Sequence, residues 1–116
     1  MPATAAPPPF TMSETGSRLL IRFDGVSELD SANSDSIGLA LQSAVESNPR
    51  PDVRVDLSNI HFLASMALSL LLRLDQVVRA FGGRLTLANI RPDVRKVFTV
   101  TRLDQVLAID SPAAGG

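Results

Sequence analysis

The sequence predicts an α/β domain, and three observations carry that prediction. Val53, Val55 and Leu57 alternate with Arg54 and Asp56, the period of a strand buried on one face. Ala67, Leu70, Leu71, Leu74, Val77, Val78 and Phe81 recur at i, i+3, i+4 and i+7, which places one apolar stripe along a helix. Around them, strand-like and helix-like segments alternate with short links, the order that favours α/β architecture. A chain of 116 residues fits one such domain. At that size roughly two thirds of the unfolded surface can be buried without staples. Aromatic residues make up only 4%, with no Trp and no Tyr, so the core has to be aliphatic.

Taken in order, residues 1–9 are Ala, Pro and Thr after the first Met, and read as a disordered N-terminal tail. SPAAGG, residues 111–116, reads as its C-terminal counterpart, leaving a domain over residues 10–110. Arg18 to Phe23 (RLLIRF) is a strand ending at the turn signal Asp24-Gly25. Phe10 to Met12 is expected to pair with it across the polar ETGS segment. A helix capped by Asp30 or a following serine carries Ile37, Leu41, Ala44 and Val45, and stops before Pro49 and Pro51. The strand of Val53 to Leu57 comes next, then the helix after Ser65, which ends at Gly82-Gly83. RLTLANI is a strand and RPDVRKVF a short helix with Pro92 in its first turn. LDQVLAI closes the domain.

Composition removes several function classes. Without cysteine there is no disulfide, thiolate metal site or cysteine nucleophile, in agreement with a cytoplasmic location. A net charge of -1 argues against a nucleic-acid binder, which normally shows a basic excess. The longest apolar run, Phe62 to Leu72, contains two serines and is too short for membrane insertion. MPATAAPPPF has neither a basic start nor an apolar core, so it is not a secretory signal. His61 is the single histidine, which rules out paired-histidine metal motifs and leaves a structural or exposed role as its expected one. A Ser65–His61–Asp triad would need a base beside the serine, and nothing in the spacing demands one. Gly82-Gly83 is a helix stop rather than a phosphate loop. The expectation is therefore no catalytic residue, no metal and no cofactor.

The stretch NIHFLASMALSLLLRL concentrates what remains. Opposite the core stripe of its helix lie Ser65, Ser69, Leu72 and Gln76, with Leu68 and Arg79 at the edges. Two readings stand for this face: another element of the domain covers its leucines, or a partner protein docks on them. Two also stand for Ser65. Its hydroxyl caps the helix, or it accepts a phosphate that the free N–H groups and dipole of a helix start tolerate. A phosphate there adds about -1.5 to -2 charges, and a docked partner would have to bury them.

VDLSNIHFLASMALSLLLRL resembles the signature of the STAS domain, the family of bacterial anti-sigma factor antagonists. Asp56, Leu57, Ser58, Phe62, Ser65 and Leu68 match its pattern. ELD at Glu28 to Asp30, GGRLTLANIRPDVRKVF from Gly82 to Phe98, and the closing LDQVL match further landmarks in order and distance. The likeness spans about Phe10 to Ile109. It implies a single STAS domain, with an approximately four-stranded mixed sheet and helices packed mainly on one side. It also implies partner switching. The bare antagonist binds an anti-sigma factor that is a serine kinase and so frees a sigma factor; phosphorylation then releases the antagonist, and a phosphatase resets it. Ser65 is the implied phosphoacceptor and Asp30 the implied acidic residue beside it; with Leu68, Ser69 and Leu72 of the helix face and the large, adaptable Met66 they make up the expected partner-binding set, Asp30, Ser65, Met66, Leu68, Ser69 and Leu72.

Three replacements and a two-residue insertion depart from the pattern. Ala64 stands where the family has Asp, Met66 where it has a small residue, and Ala67 where it has Gly; Val26 and Ser27 are extra before ELD. Loss of the Asp removes a charge next to the acceptor. Some STAS proteins are not phosphorylated and serve as accessory subunits of lipid ABC transporters or of signalling scaffolds, which is the alternative reading here.

Overall fold

The computed structural model describes residues 10–110, so the two expected tails lie outside the described residues. The elements in chain order are β1 (Phe10–Thr15), β2 (Arg18–Phe23), β3 (Glu28–Leu29), α1 (Ser34–Ser47), β4 (Asp52–Asp56), β5 (Phe62–Leu63), α2 (Ser65–Ala80), β6 (Arg84–Ala88), α3 (Pro92–Val100) and β7 (Ala108–Ile109). A 3₁₀ turn at Leu103–Gln105 precedes β7. The α/β prediction holds. The main sheet runs β1-β2-β4-β6-β7, antiparallel at β1 and parallel elsewhere, and β3 and β5 form a separate two-stranded parallel ribbon.

Strand alternation decides what each side of the sheet meets. Leu19, Ile21, Val53, Val55, Leu85 and Leu87 pair in register and are almost fully buried. They join Ile37, Leu41 and Val45 of α1 and Leu71, Leu74 and Val78 of α2 in one aliphatic core. The residues between them point the other way: Arg54 and Thr86 are polar, and Leu20 is half-buried beside them. Arg18, Asp52 and Arg84 stand in one cross-strand row, with Arg18 Nε 2.8 Å from Asp52 Oδ2. Alternating charge is the favourable arrangement for such neighbours.

The five-stranded main sheet has one strand more than the approximately four expected, and both of its edge strands carried weak signals. β1 extends through the polar Ser13-Glu14-Thr15 because β2 offers it a full antiparallel partner and Gly16, at φ +58°, closes the turn. β7 is only two residues long. The first helix begins at Ser34, not next to Asp30. The Asp30 carboxylate instead accepts the N–H groups of Ala32 and Asn33 at 2.9 and 3.1 Å, forming a turn ahead of the helix. Gly82, at φ +86°, ends α2 as anticipated.

Candidate functional site

The DLSN segment after β4 is a structural clasp. Asp56 Oδ1 accepts the Ser58 N–H at 2.8 Å, and Asp56 Oδ2 accepts from Asn89 Nδ2 at 2.8 Å. Asn59 Nδ2 donates to the Phe23 carbonyl at 2.7 Å. The ends of β2, β4 and β6 are thereby tied together. Burial alone would raise the Asp56 carboxyl pKa. The bonds from Ser58 and Asn89, with the Arg22 charge, outweigh burial and hold it below the ordinary value.

From that clasp the chain passes through buried Ile60 into β5, and the ribbon fixes where α2 begins. Glu28 faces Phe62, Leu29 faces Leu63, and the Ala64 N–H donates to the Leu29 carbonyl at 2.8 Å. Asp30 therefore arrives opposite Ala64, next to Ser65 along the backbone. The family resemblance implies an acid beside the acceptor; here the Asp30 carboxylate is engaged in its own turn, on the Ala32 and Asn33 N–H groups. The extra Val26-Ser27 is absorbed here: the Ser27 carbonyl accepts the His61 N–H at 2.7 Å, and Val26 packs partly on the core.

Ser65 is the first residue of α2, and the capping position before it belongs to Ala64, at φ -81° and ψ 168°. The capping role considered for Ser65 is thus overturned: a side chain caps from the position before the helix, not from its first turn. Among the described residues the Ser65 hydroxyl makes no hydrogen bond, and the side chain is exposed. The Ala67 and Leu68 N–H groups reach the Ala64 carbonyl at 3.0 and 3.3 Å, while those of Ser65 and Met66 have no partner among the described residues. The helix start therefore combines an unengaged hydroxyl with unengaged N–H donors, which favour negative charge.

The expected partner set is brought together only in part. Ser65, Met66 and Ser69 are exposed on one stripe that continues to Arg73 and Gln76. Leu68 is 9% exposed and belongs to the core, and Leu72 is half-buried against it. The domain covers both leucines, because the buried arc of α2 is wide enough to include a shoulder at Leu68 and Asp75 as well as the central stripe. Met66, Ser69 and Arg73, on the flank of the outer face, line a groove with α1. Beside this stripe the structure exposes two apolar side chains outside the expected set: Phe62 on β5, 50% exposed, and Leu39 on α1, 68% exposed. Leu39 was legible as an apolar residue off the Ile37, Leu41 and Val45 stripe. Phe62 has the sequence context of a buried strand. Among the described residues no helix is long and apolar enough to cross a membrane, and no cluster of acidic and histidine side chains could hold a metal ion.

A mixed sheet faced by aliphatic helices, with an unbonded serine at the start of the second, defines a domain of the α/β class. The family model described as the STAS domain matches residues 10–113, and the chain belongs to that family. It is similar to the anti-sigma F factor antagonist of Paenibacillus polymyxa, 23% identical over 91 residues, covering 78% of this chain and 76% of the relative. It is also similar to BtrV of Bordetella bronchiseptica, whose assignment as an anti-sigma factor antagonist is provisional, at 29% identity and the same coverage. The fold matches that of the Bacillus cell fate determinant SpoIIAA in its phosphorylated form, with a TM-score of 0.63 and 22% identity over 91% of this chain and 95% of that one.

Proposed function

We propose that this chain is an anti-sigma factor antagonist that works by partner switching. In its bare form it binds an anti-sigma factor with serine-kinase activity; phosphorylation of Ser65 ends the complex, and a phosphatase restores it. The chain acts in the cytoplasm by binding, and its partner supplies the catalysis. One observation carries the reading: Ser65 offers an exposed, unbonded hydroxyl at the first position of a helix. Phosphorylation there breaks no internal hydrogen bond, and the free N–H groups beside it accommodate the charge. The exposed Phe62 and Met66 lie within four residues of it and provide apolar contact for a partner. A phosphate placed between them would be desolvated on docking, a cost of several kcal/mol per ion in a dry interface. The names of the relatives support the partner class.

The alternative, a subunit bound constitutively to a transporter or scaffold, is favoured by one feature. Ala64 leaves the acceptor without the family's neighbouring carboxylate. Phosphopeptide mass spectrometry on the protein from growing and stressed cells separates the two. Phosphate on Ser65 that varies with condition is the expected result. A well-covered peptide with Ser65 always bare would sink the switching mechanism and leave the constitutive subunit.

A further inference from the structure

The groove between α1 and α2 extends the Ser65 surface. β3 and β5 are parallel and each leads into one of these helices, so both helices start at the same end of the molecule. Leu39 and Met66 line the groove from opposite sides, with Leu70 also lining it. Gly38 lets the helices come close: a Cβ there would stand 3.2 Å from the Leu70 side chain. The groove measures about 230 Å³. Small-molecule pockets usually begin at roughly 300 Å³, so this one suits a protein side chain better than a ligand.

Its charge is uneven. Residues 24–48 carry Asp24, Glu28, Asp30, Asp35 and Glu46 and no Lys or Arg. Asp35 lines the groove in the first turn of α1, at the acceptor end. Arg73 lines it about 12 Å from Ser65, at 1.5 Å per helical residue. Asp35 also complements the dipole of its own helix, which accounts for an acid at that place. The dipole gives no reason for Leu39, which is 68% exposed beside it.

We propose that this groove is the specificity-determining part of the partner surface. It takes an aliphatic or aromatic side chain of the anti-sigma factor between Leu39 and Met66, with a Lys or Arg of the same segment facing Asp35. Arg73 repels that cation at the far end and so fixes the direction in which the segment lies. This proposal rests on the partner-switching reading. Phosphate at Ser65 then acts through its volume and desolvation, since a nearby cation alone would be attracted to it.

The test uses the full chain and the purified anti-sigma factors of the source organism, titrated singly by calorimetry. With the one that binds the wild type, Leu39→Gln weakens the complex by about tenfold or more, the loss expected for an interface anchor. Asp35→Asn weakens it too and flattens its dependence on salt, as loss of a charge pair requires. Both residues are exposed, so cooperative melting, unchanged for Leu39→Gln and lowered by only a few degrees for Asp35→Asn through the lost dipole contact, serves as the folding control. Wild-type affinity and salt dependence in both variants, with binding still abolished by Ser65→Asp, would overturn the groove and leave the Ser65 switch standing. If no anti-sigma factor of the organism binds the wild type, the switching reading falls and the groove proposal falls with it.

Discussion

Replacing Ala64 by Asp should stabilise this protein, and the structure sets the size of the effect. Ala64 already has the extended backbone of a helix cap, and the Met66 N–H that a cap would receive has no partner among the described residues. A carboxylate there accepts that N–H and meets the positive end of the helix dipole. Exchange of Ala for Asp at such a position is worth about 1 kcal/mol, in a range of roughly 0.5–2. For a domain of this size that corresponds to a rise in Tm of about 4–8 °C. The nearby acids, Glu28 and Asp30, subtract from the gain through like-charge repulsion, so Ala64→Asn separates the two contributions by keeping the acceptor without the charge. The pH dependence has a definite sign. A capping carboxylate has a depressed pKa in the folded state, so its stabilisation is present above the unfolded value and fades as pH falls through the folded one. Thermal melts followed by circular dichroism at neutral and acid pH measure all of this. An Ala64→Asp protein that melts at or below the wild-type temperature, with Asn no better, would mean that α2 does not begin where the structure places it. The Ser65 hydroxyl would then lose its standing as a free group.

Other perturbations have outcomes set by burial and bonding. Leu71→Ala removes a fully buried side chain from the centre of the core and should cost about 2–5 kcal/mol in urea unfolding. Leu72→Glu places a charge on a half-buried position packed against the core, so it should lower stability by about 1–3 kcal/mol as well as disturb any partner; a fully stable variant would return Leu72 to the docking face. Asp56→Asn should destabilise the fold at neutral pH, because the native carboxyl pKa is depressed chiefly by Ser58 and Asn89 against the effect of burial. The gap to wild type should close as acid titrates that carboxylate, and a gap independent of pH would refute the assignment. Arg79→Ala leaves the buried Asp75 without the guanidinium 2.9 Å away, yet Arg79 is mostly exposed, so chemical denaturation should show a loss of only about 1 kcal/mol.

The parts of the fold legible in the sequence are those where a period runs long enough to be read. α2 shows its stripe over fifteen residues, and β4 its alternation. The edges were harder for physical reasons. β1 is held by pairing with β2, and five of its six residues are exposed, so it has no hydrophobic pattern to read. β3 and β5 are two residues each and exist because they pair with one another. At the candidate site, Ser65 stood out by its place between two apolar elements. Whether it caps the helix or opens its first turn depends on one residue of phase, which periodicity does not fix. Leu68 was assigned to the wrong environment because an angle around a helix axis says nothing of how far neighbours wrap around it. Leu39 was overlooked because its partner in the groove, Met66, is 27 positions away.

Leu39, Phe62, Ser65, Met66, Ser69 and Arg73 all lie outside the fully buried core that holds the domain together. Their identities are nearly uncoupled from the energetics of folding, since surface substitutions usually shift stability by less than about 0.5 kcal/mol. Lineages of this domain can therefore explore new recognition chemistry through ordinary neutral drift. On the partner-switching reading, copies arising by gene duplication would diverge in whom they bind while inheriting one scaffold, and several could share a cell without responding to each other's signals.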